Sequence, residues 1–425
     1  MKKILIIEDS HTVMKVLRYF VNLESDFIGL YAKSYSEAKD IVEREGDQIF
    51  AALVDLHLPD AEDGEVVDYT LENKIPTIVL TSSFDEERRK HLFSKGIIDY
   101  VTKEGRFSYR YAIGLLNRIW RNQQVKVLVA EDSSTSRRYI SDLLKLYLFE
   151  VYTAVDGQDA IDILMQQTDI KMLITDYHMP NMDGVQLVRN LRNKYEKSDL
   201  VIIGLSGEGE EALSAKFIKN GANDFLHKPF NREEFQCRVM HNIEAMEHLE
   251  QARNIANRDF LTGAYNRRYF FTNASCVHKQ AKAENTPLAV AVLDIDFFKK
   301  INDSYGHDVG DGVLKFFSKA LNEALERFIV ARAGGEEFFV LMPGLNNQQA
   351  CTLMDKVREI ISHSPIEIDN NTLTISFSTG ISNIYMDSID AQLKVADEAL
   401  YKAKESGRNC VIGDSIEQQA IAADG

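Results

Sequence analysis

Cysteine is scarce in this chain: Cys237, Cys276, Cys351 and Cys410 are the four in 425 residues, and they lack paired spacing. That excludes a disulfide framework and suits a reducing compartment. Cys237 and His241 stand four apart on an expected helix, but two ligands do not complete a zinc site. Long apolar runs are absent too. The start offers only four apolar residues, Ile4 to Ile7, before Glu8 brings in acid, so neither a targeting segment nor a membrane span is expected and the protein reads as cytoplasmic. Positive charge is in deficit, 49 Lys and Arg against 65 Asp and Glu, for a formal net charge of −16. A chain of that sign is not expected to bind nucleic acid or an anionic membrane.

What is present is an internal repeat covering the first two thirds of a chain long enough for about three domains. Lys3-Ile-Leu-Ile-Ile-Glu8-Asp9-Ser10 recurs as Lys126-Val-Leu-Val-Ala-Glu131-Asp132-Ser133, a buried strand ending in an acidic pair and followed by a helix. Leu53-Val-Asp55 recurs as Ile174-Thr-Asp176, again a strand ending in Asp. Then come Thr81 and Ser206, and finally Asp99-Tyr100-Val-Thr-Lys103 and Asp224-Phe225-Leu-His-Lys228, at the same hydroxyl-to-lysine interval. Apolar strands alternating with amphipathic helices imply a parallel sheet whose working residues lie at the carboxyl ends of its strands. Carboxylates crowded on one edge repel one another unless a divalent cation joins them. A metal beside a lone Asp, with a hydroxyl and a Lys to receive new charge, describes a site for phosphorylating that Asp.

The last third is organised around Arg332-Ala-Gly334-Gly335-Glu336-Glu337-Phe338-Phe339. Alternating apolar residues on both sides read as two short strands joined by a tight Gly-Gly turn. The turn presents two carboxylates for hard cations, and glycines without side chains let a nucleotide approach the backbone. Upstream, Leu288 to Leu293 reads as a buried central strand ending in Asp294, so Asp294 and Glu336 can share Mg2+. Downstream, Lys404 is expected in the last turn of a helix and Arg408 just past its glycine stop, where both can reach phosphates or simply complement the helix dipole.

Residues Asp259 to Gly413 resemble the catalytic domain of GGDEF-type diguanylate cyclases, including an opening signature at Asp259-Phe-Leu261-Thr262-Gly263-Ala-Tyr265-Asn266-Arg267-Arg268. The resemblance implies condensation of two GTP to cyclic di-GMP with release of two pyrophosphates by a homodimer, each domain holding one GTP. It implies two Mg2+ per site on Asp294, Glu336 and the Ile295 carbonyl. Glu336 would also help deprotonate the ribose 3′-hydroxyl, with Glu337 supporting the metal site. Asn302 and Asp311 would read guanine, His307 would lie near the substrate, Gly334 and Gly335 would border it, and Lys299, Lys404 and Arg408 would neutralise phosphates. Such chemistry is mostly positioning and charge neutralisation, which these residue types supply.

Both repeats resemble response-regulator receiver domains, partners of a histidine kinase or phosphotransfer protein. That resemblance makes Asp55 and Asp176 phospho-acceptors and Asp9 and Asp132 direct ligands of one Mg2+ each, with Glu8 and Glu131 behind them. Thr81, Lys103, Ser206 and Lys228 would read the phosphoryl group, with Tyr100 and Phe225 at the aromatic switch position. The fold class expected is therefore α/β, with two tandem doubly wound receivers of five parallel strands, 1–122 and 124–245, followed by an α+β GGDEF domain, 259–413, and a disordered tail, 414–425. In the second receiver Lys228-Pro229 matches the family's Lys-Pro; in the first, Lys103 precedes Glu104, which puts that loop's geometry in question.

Between them, Asn231 to Asn257 contains neither Pro nor Gly, and Val239, Ile243, Met246, Leu249, Ala252 and Ile255 recur at helical steps. This reads as the last receiver helix continuing as a linker helix over 231–258, its stripe facing either a twin helix or its own receiver. Family members under product inhibition carry Arg-x-x-Asp five residues before the Gly-Gly turn, where this chain has Leu325-Glu-Arg-Phe328. Feedback through that site is not expected. Two other readings fit the same residues: a catalytically silent nucleotide-binding or docking module, and a phosphate sink in which the first receiver drains phosphoryl groups from a kinase serving another target.

Overall fold

In the computed structural model, residues 1–24, 26–207, 211–368 and 371–414 are described; the expected tail beyond Asp414 lies outside them. The chain divides into two units, Met1–Glu247 and His248–Gly425.

The first unit contains the two repeats. In the first, β1 (Lys2–Ile7), α1 (His11–Leu23), β2 (Phe27–Ala32), α2 (Tyr35–Glu45), β3 (Ile49–Asp55), α3 (Glu65–Glu72), β4 (Thr77–Thr81), α4 (Glu86–Lys95), β5 (Asp99–Thr102) and α5 (Arg106–Asn122) alternate. Their sheet has the order β2-β1-β3-β4-β5, parallel throughout. The second repeat runs β6 (Lys126–Ala130), α6 (Ser134–Leu146), β7 (Glu150–Ala154), α7 (Gly157–Gln166), β8 (Ile170–Asp176), α8 (Gly184–Arg192), β9 (Val201–Ser206), α9 (Glu211–Lys219), β10 (Asp224–His227) and α10 (Arg232–Asn257). Its order, β7-β6-β8-β9-β10, is the same. The central strands are buried on both faces, as a parallel sheet between helical layers requires. Ser10 and Ser133, which follow the acidic pairs, cap α1 and α6 by accepting from Val13 N and Ser136 N, so each acidic pair turns sharply off its strand.

One apolar cluster runs through both repeats, from Ile98, Leu115 and Leu116 of the first to Tyr147, Phe149, Phe235 and Met240 of the second. The apolar stripe of α10 divides accordingly. Val239, Ile243 and Met246 are buried in that cluster, whereas Leu249 and Ile255 are exposed. The first half therefore packs within its own unit, and Asn242, near the seam, is satisfied there by donating to Asp224 Oδ2 at 2.9 Å.

The second unit contains β11 (Tyr265–Asn266), α11 (Arg267–Glu284), β12 (Leu288–Ile295), α12 (Phe298–Tyr305), α13 (His307–Ala324), β13 (Ile329–Gly334), β14 (Glu337–Pro343), α14 (Asn347–Ser362), β15 (Ile366–Ile368), β16 (Asn371–Leu373), β17 (Phe377–Ser382), α15 (Ile389–Glu405) and β18 (Val411–Gly413). Its main sheet is mixed, in the order β11-β13-β14-β12-β17-β18. All eight residues of β12 are buried, and apolar clusters on both sides of the sheet account for its uninterrupted hydrophobic run. Asp414, expected to begin the free tail, instead accepts from Asn383 N at 2.6 Å. Among the described residues no helix is long and apolar enough to cross a membrane.

Candidate functional site

Each repeat gathers its predicted residues at the carboxyl edge of its sheet. Ligand oxygens of Glu8, Asp9 and Asp55 lie within 4.8 Å of one another, as do those of Glu131, Asp132 and Asp176; in both sets the middle Asp is exposed and the others buried. A cluster so spaced, with one accessible member, fits a hard divalent cation. The lysines close both sites. Lys103 Nζ lies 2.6 Å from Asp55 Oδ2 and 2.7 Å from Glu8 Oε2, and Lys228 Nζ lies 2.6 Å from Asp176 Oδ1 and 2.5 Å from Glu131 Oε2. Burial pushes the Glu8 carboxyl up to about 7 despite the Lys103 ammonium beside it, and burial raises Glu131 likewise. Burial would lower the two lysines, but hydrogen bonds to the paired carboxylates outweigh it and raise both.

The residues expected at the switch positions make contacts within their own repeats. Thr81 Oγ1 donates to Ser83 O at 3.0 Å, and the Tyr100 hydroxyl reaches the same carbonyl at 3.1 Å. Ser206 Oγ donates to Gly207 O at 3.4 Å, and Phe225 packs against Phe217 and His227. The Lys228–Pro229 peptide is cis. After Lys103, the added acid does not disturb the pocket: Glu104 Oε1 accepts from Thr102 Oγ1 at 2.9 Å, back along its own loop.

In the second unit, Asp294 is the penultimate residue of β12, which runs one residue past the expected end, and stands directly across from Glu337 of β14; Lys404 Nζ, from the last turn of α15, lies 2.8 Å from Asp294 Oδ2. Burial raises the Asp294 carboxyl; Lys404 opposes this, and the charges of Glu336 and Asp296 add to it. Burial also raises Glu337, with the Asp294 charge adding to it. Two or more carboxylates whose ionisation is mutually disfavoured suit a site completed by Mg2+ and phosphate oxygens. The turn between the strands uses the backbone freedom of Gly335, whose φ is +55°. Arg332 braces it, donating to Gly335 O at 2.9 and 2.8 Å and to Asp259 Oδ1 at 3.0 Å. That brace links the opening signature to the turn and was not anticipated; its signal was an Arg one residue before Ala333 on an otherwise apolar strand.

Ile295, next to Asp294, is buried. Lys299 is exposed in the first turn of α12, His307 opens α13, and Asp311 is exposed one turn further on. Asn302 Oδ1 lies where a Cβ on Gly310 would come within 1.9 Å, so the glycine makes room for the asparagine beside Asp311. The Arg408 guanidinium stacks over the exposed Phe297 ring, 4.7 Å from its centroid. Gly334 is exposed at the turn, with Glu336 half-buried beyond it. Cys237 is exposed, and no metal-ligand cluster among the described residues includes it or His241.

Residues 256–410 match the family described as "Diguanylate cyclase, GGDEF domain", and residues 127–240 match "Response regulator receiver domain". The response regulator PleD of Caulobacter vibrioides is 33% identical over 256 residues, covering 57% of this chain and 56% of its own length. Diguanylate cyclase DgcP of Pseudomonas aeruginosa is 35% identical over 181 residues, covering 40% of this chain and 27% of its own. The chain thus matches little more than half the length of PleD and less of DgcP. A crystal structure of a two-component system response regulator/GGDEF domain protein is 42% identical, with a TM-score of 0.55, over 58% of this chain and 100% of that one. With receiver and GGDEF regions side by side, and a solved protein of that build matched along its full length, this chain belongs to the response regulators that carry a GGDEF domain.

Proposed function

We propose that this protein is a diguanylate cyclase, condensing two GTP into cyclic di-GMP and two pyrophosphates, and that aspartyl phosphorylation in two receivers controls it. The observation that carries the catalytic reading is the facing pair Asp294 and Glu337 beside the Gly-Gly turn, with the Lys404 ammonium 2.8 Å from Asp294. Glu336 takes the proton of one ribose 3′-hydroxyl, the freed oxygen bonds to the α-phosphorus of the other GTP, and the bond to pyrophosphate breaks. The reciprocal step closes the ring. Each domain holds one GTP, so catalysis needs two chains. Asp294, Glu336 and the Ile295 carbonyl hold Mg2+, which when bound draws off triphosphate charge. Lys299, Lys404 and Arg408 neutralise phosphates, Asn302 and Asp311 read guanine, and His307, Gly334 and Gly335 border the nucleotide.

The first repeat, 1–122, acts as a receiver like the second, 124–245. Its strand order, its acidic triad and its closing lysine support this reading. Asp55 and Asp176 accept phosphoryl groups from a histidine kinase or phosphotransfer protein, with one Mg2+ held at Glu8, Asp9 and Asp55 and one at Glu131, Asp132 and Asp176. The GGDEF domain spans 259–413, joined through the helix at 231–258.

The test is cyclic di-GMP formation from GTP and Mg2+ by the purified protein, with and without beryllofluoride as a phosphoryl mimic. Product should rise with the mimic and vanish in Glu336→Gln. GTP binding without product in either state would defeat the proposal. Comparing Asp55→Asn with Asp176→Asn then separates control by each receiver from simple phosphate drainage.

A further inference from the structure

Asp296 follows the metal-site residues Asp294 and Ile295, yet its carboxylate takes part in neither the acidic pair nor the Lys404 contact. It is 4% exposed and fully engaged. Oδ1 accepts from Ser378 Oγ at 2.7 Å, and Oδ2 accepts from Ser376 Oγ at 2.8 Å and from the backbone N–H of Asn409 at 2.9 Å. Asp296 N also donates to Ser376 O at 2.9 Å. A buried carboxylate with three donors holds its partners firmly, because each would otherwise lose a charge-assisted hydrogen bond.

The third donor is the informative one. Asn409 and Arg408 have φ of +46° and +67°, a region that side-chain-bearing residues rarely occupy, and they follow Gly407 beyond the end of α15. Such a conformation persists only where its surroundings enforce it. Asp296 supplies that enforcement from the turn just past β12. On the other side of the carboxylate, Phe297, also left-handed with φ of +58°, presents its exposed ring under the Arg408 guanidinium. Asp296 thus fixes the ring by its place in the chain and fixes the arginine by the hydrogen bond to Asn409. The cation is set relative to the strand end that carries Asp294.

We propose that Asp296 is a positioning residue for GTP, acting through Asn409 and Phe297 to hold Arg408 where the triphosphate of the substrate lies. The proposal rests on the cyclase reading for the identity of the nucleotide. Asp296→Asn keeps shape and volume but turns one acceptor into a donor facing donors. Its affinity for GTP, read by calorimetric titration, should fall about tenfold, the worth of one charge-assisted hydrogen bond. Affinity for guanosine, which lacks phosphates, should stay unchanged. In steady state the KM for GTP should rise more than kcat falls, and Asp296→Asn should add nothing to Arg408→Ala, since both remove the same contact. Should Asp296→Asn fail to fold, Ser376→Ala together with Ser378→Ala removes two donors from outside and should weaken GTP, not guanosine, in the same direction. Equal losses for GTP and guanosine, or independent effects of the Asp296 and Arg408 substitutions, would overturn the assignment. Binding of GTP without cyclic di-GMP by the unaltered protein would instead defeat the cyclase reading, leaving the affinity comparison to decide the role of Asp296.

Discussion

Arg232, four residues after Lys228, ties the two repeats together, and its removal should separate their unfolding. The guanidinium donates from Nη1 to Phe93 O at 3.3 Å and from Nη2 to Ile97 O at 2.5 Å and Ile98 O at 3.0 Å, closing the end of α4 and the start of β5 in the other repeat. Its Nε donates to the Tyr147 hydroxyl at 3.2 Å, and its face lies over Phe93. Each hydrogen bond to a charged group is worth roughly 1.5–3 kcal/mol. Because the side chain is only partly buried and water can replace some of these contacts, the sum overstates the loss, and Arg232→Ala should cost about 3 kcal/mol. For a unit of this size that is a fall of roughly 6–12 °C in Tm. The other ties across the same surface survive: Arg118 to both oxygens of Glu247 at 2.7 and 2.9 Å, and Asn122 to Tyr147 O at 2.9 Å. Calorimetry of the full chain should therefore show the first unit's transition broadening or splitting as it moves down, while the GGDEF transition stays in place. Arg232→Lys, which keeps the charge but loses the planar fork, should fall between the two. A variant Arg232→Ala that melts within about 1 °C of the unaltered protein would refute the reasoning.

Three further outcomes follow. Gly310→Ala places a methyl where Asn302 Oδ1 now lies, so the KM for GTP should rise about tenfold while helix stability holds or improves slightly; an unchanged KM would remove Asn302 from guanine recognition. Burial raises the Asp99 carboxyl, with the Glu233 charge adding to this against the hydrogen bonds from the Tyr111 hydroxyl and Tyr100 N and the charge of Arg232. The folded chain then binds that proton more tightly than the unfolded chain, so this group's contribution is fully present below the ordinary Asp range and is lost as pH climbs through the raised folded value. Asp99→Asn should flatten urea midpoints measured between about pH 4 and pH 7, and an unaltered slope would assign it to other groups. Since Leu325 is buried and Phe328 packs against the core where an Arg-x-x-Asp pair would stand, micromolar cyclic di-GMP should leave initial rates unchanged; strong inhibition would reveal another product site.

What the sequence disclosed and what it withheld follow a physical division. Glu8, Asp55, Glu131, Asp176 and Asp294 are visible because a carboxylate closing an apolar run contradicts the pattern around it, and strand geometry then carries such residues to one edge. The lysines are visible because the repeat gives each of them a counterpart. Arg232 carried no such mark: its partners in the other repeat lie more than a hundred positions away, and on a helix rich in charge it reads as a solvated residue. The stripe of α10 was legible as periodicity but not as destination, because the same spacing serves Met246, which is buried, and Ile255, which is exposed. Asp296 was hidden as well. Two residues beyond Asp294, it carries no local mark that sets its task apart, and only the hydroxyls of Ser376 and Ser378 and the N–H of Asn409, brought from two distant segments, show that its charge is already spoken for. Local pattern marks groups out of keeping with their surroundings. It cannot tell a carboxylate awaiting a ligand from one already satisfied, because that difference lies in contacts made only by the fold.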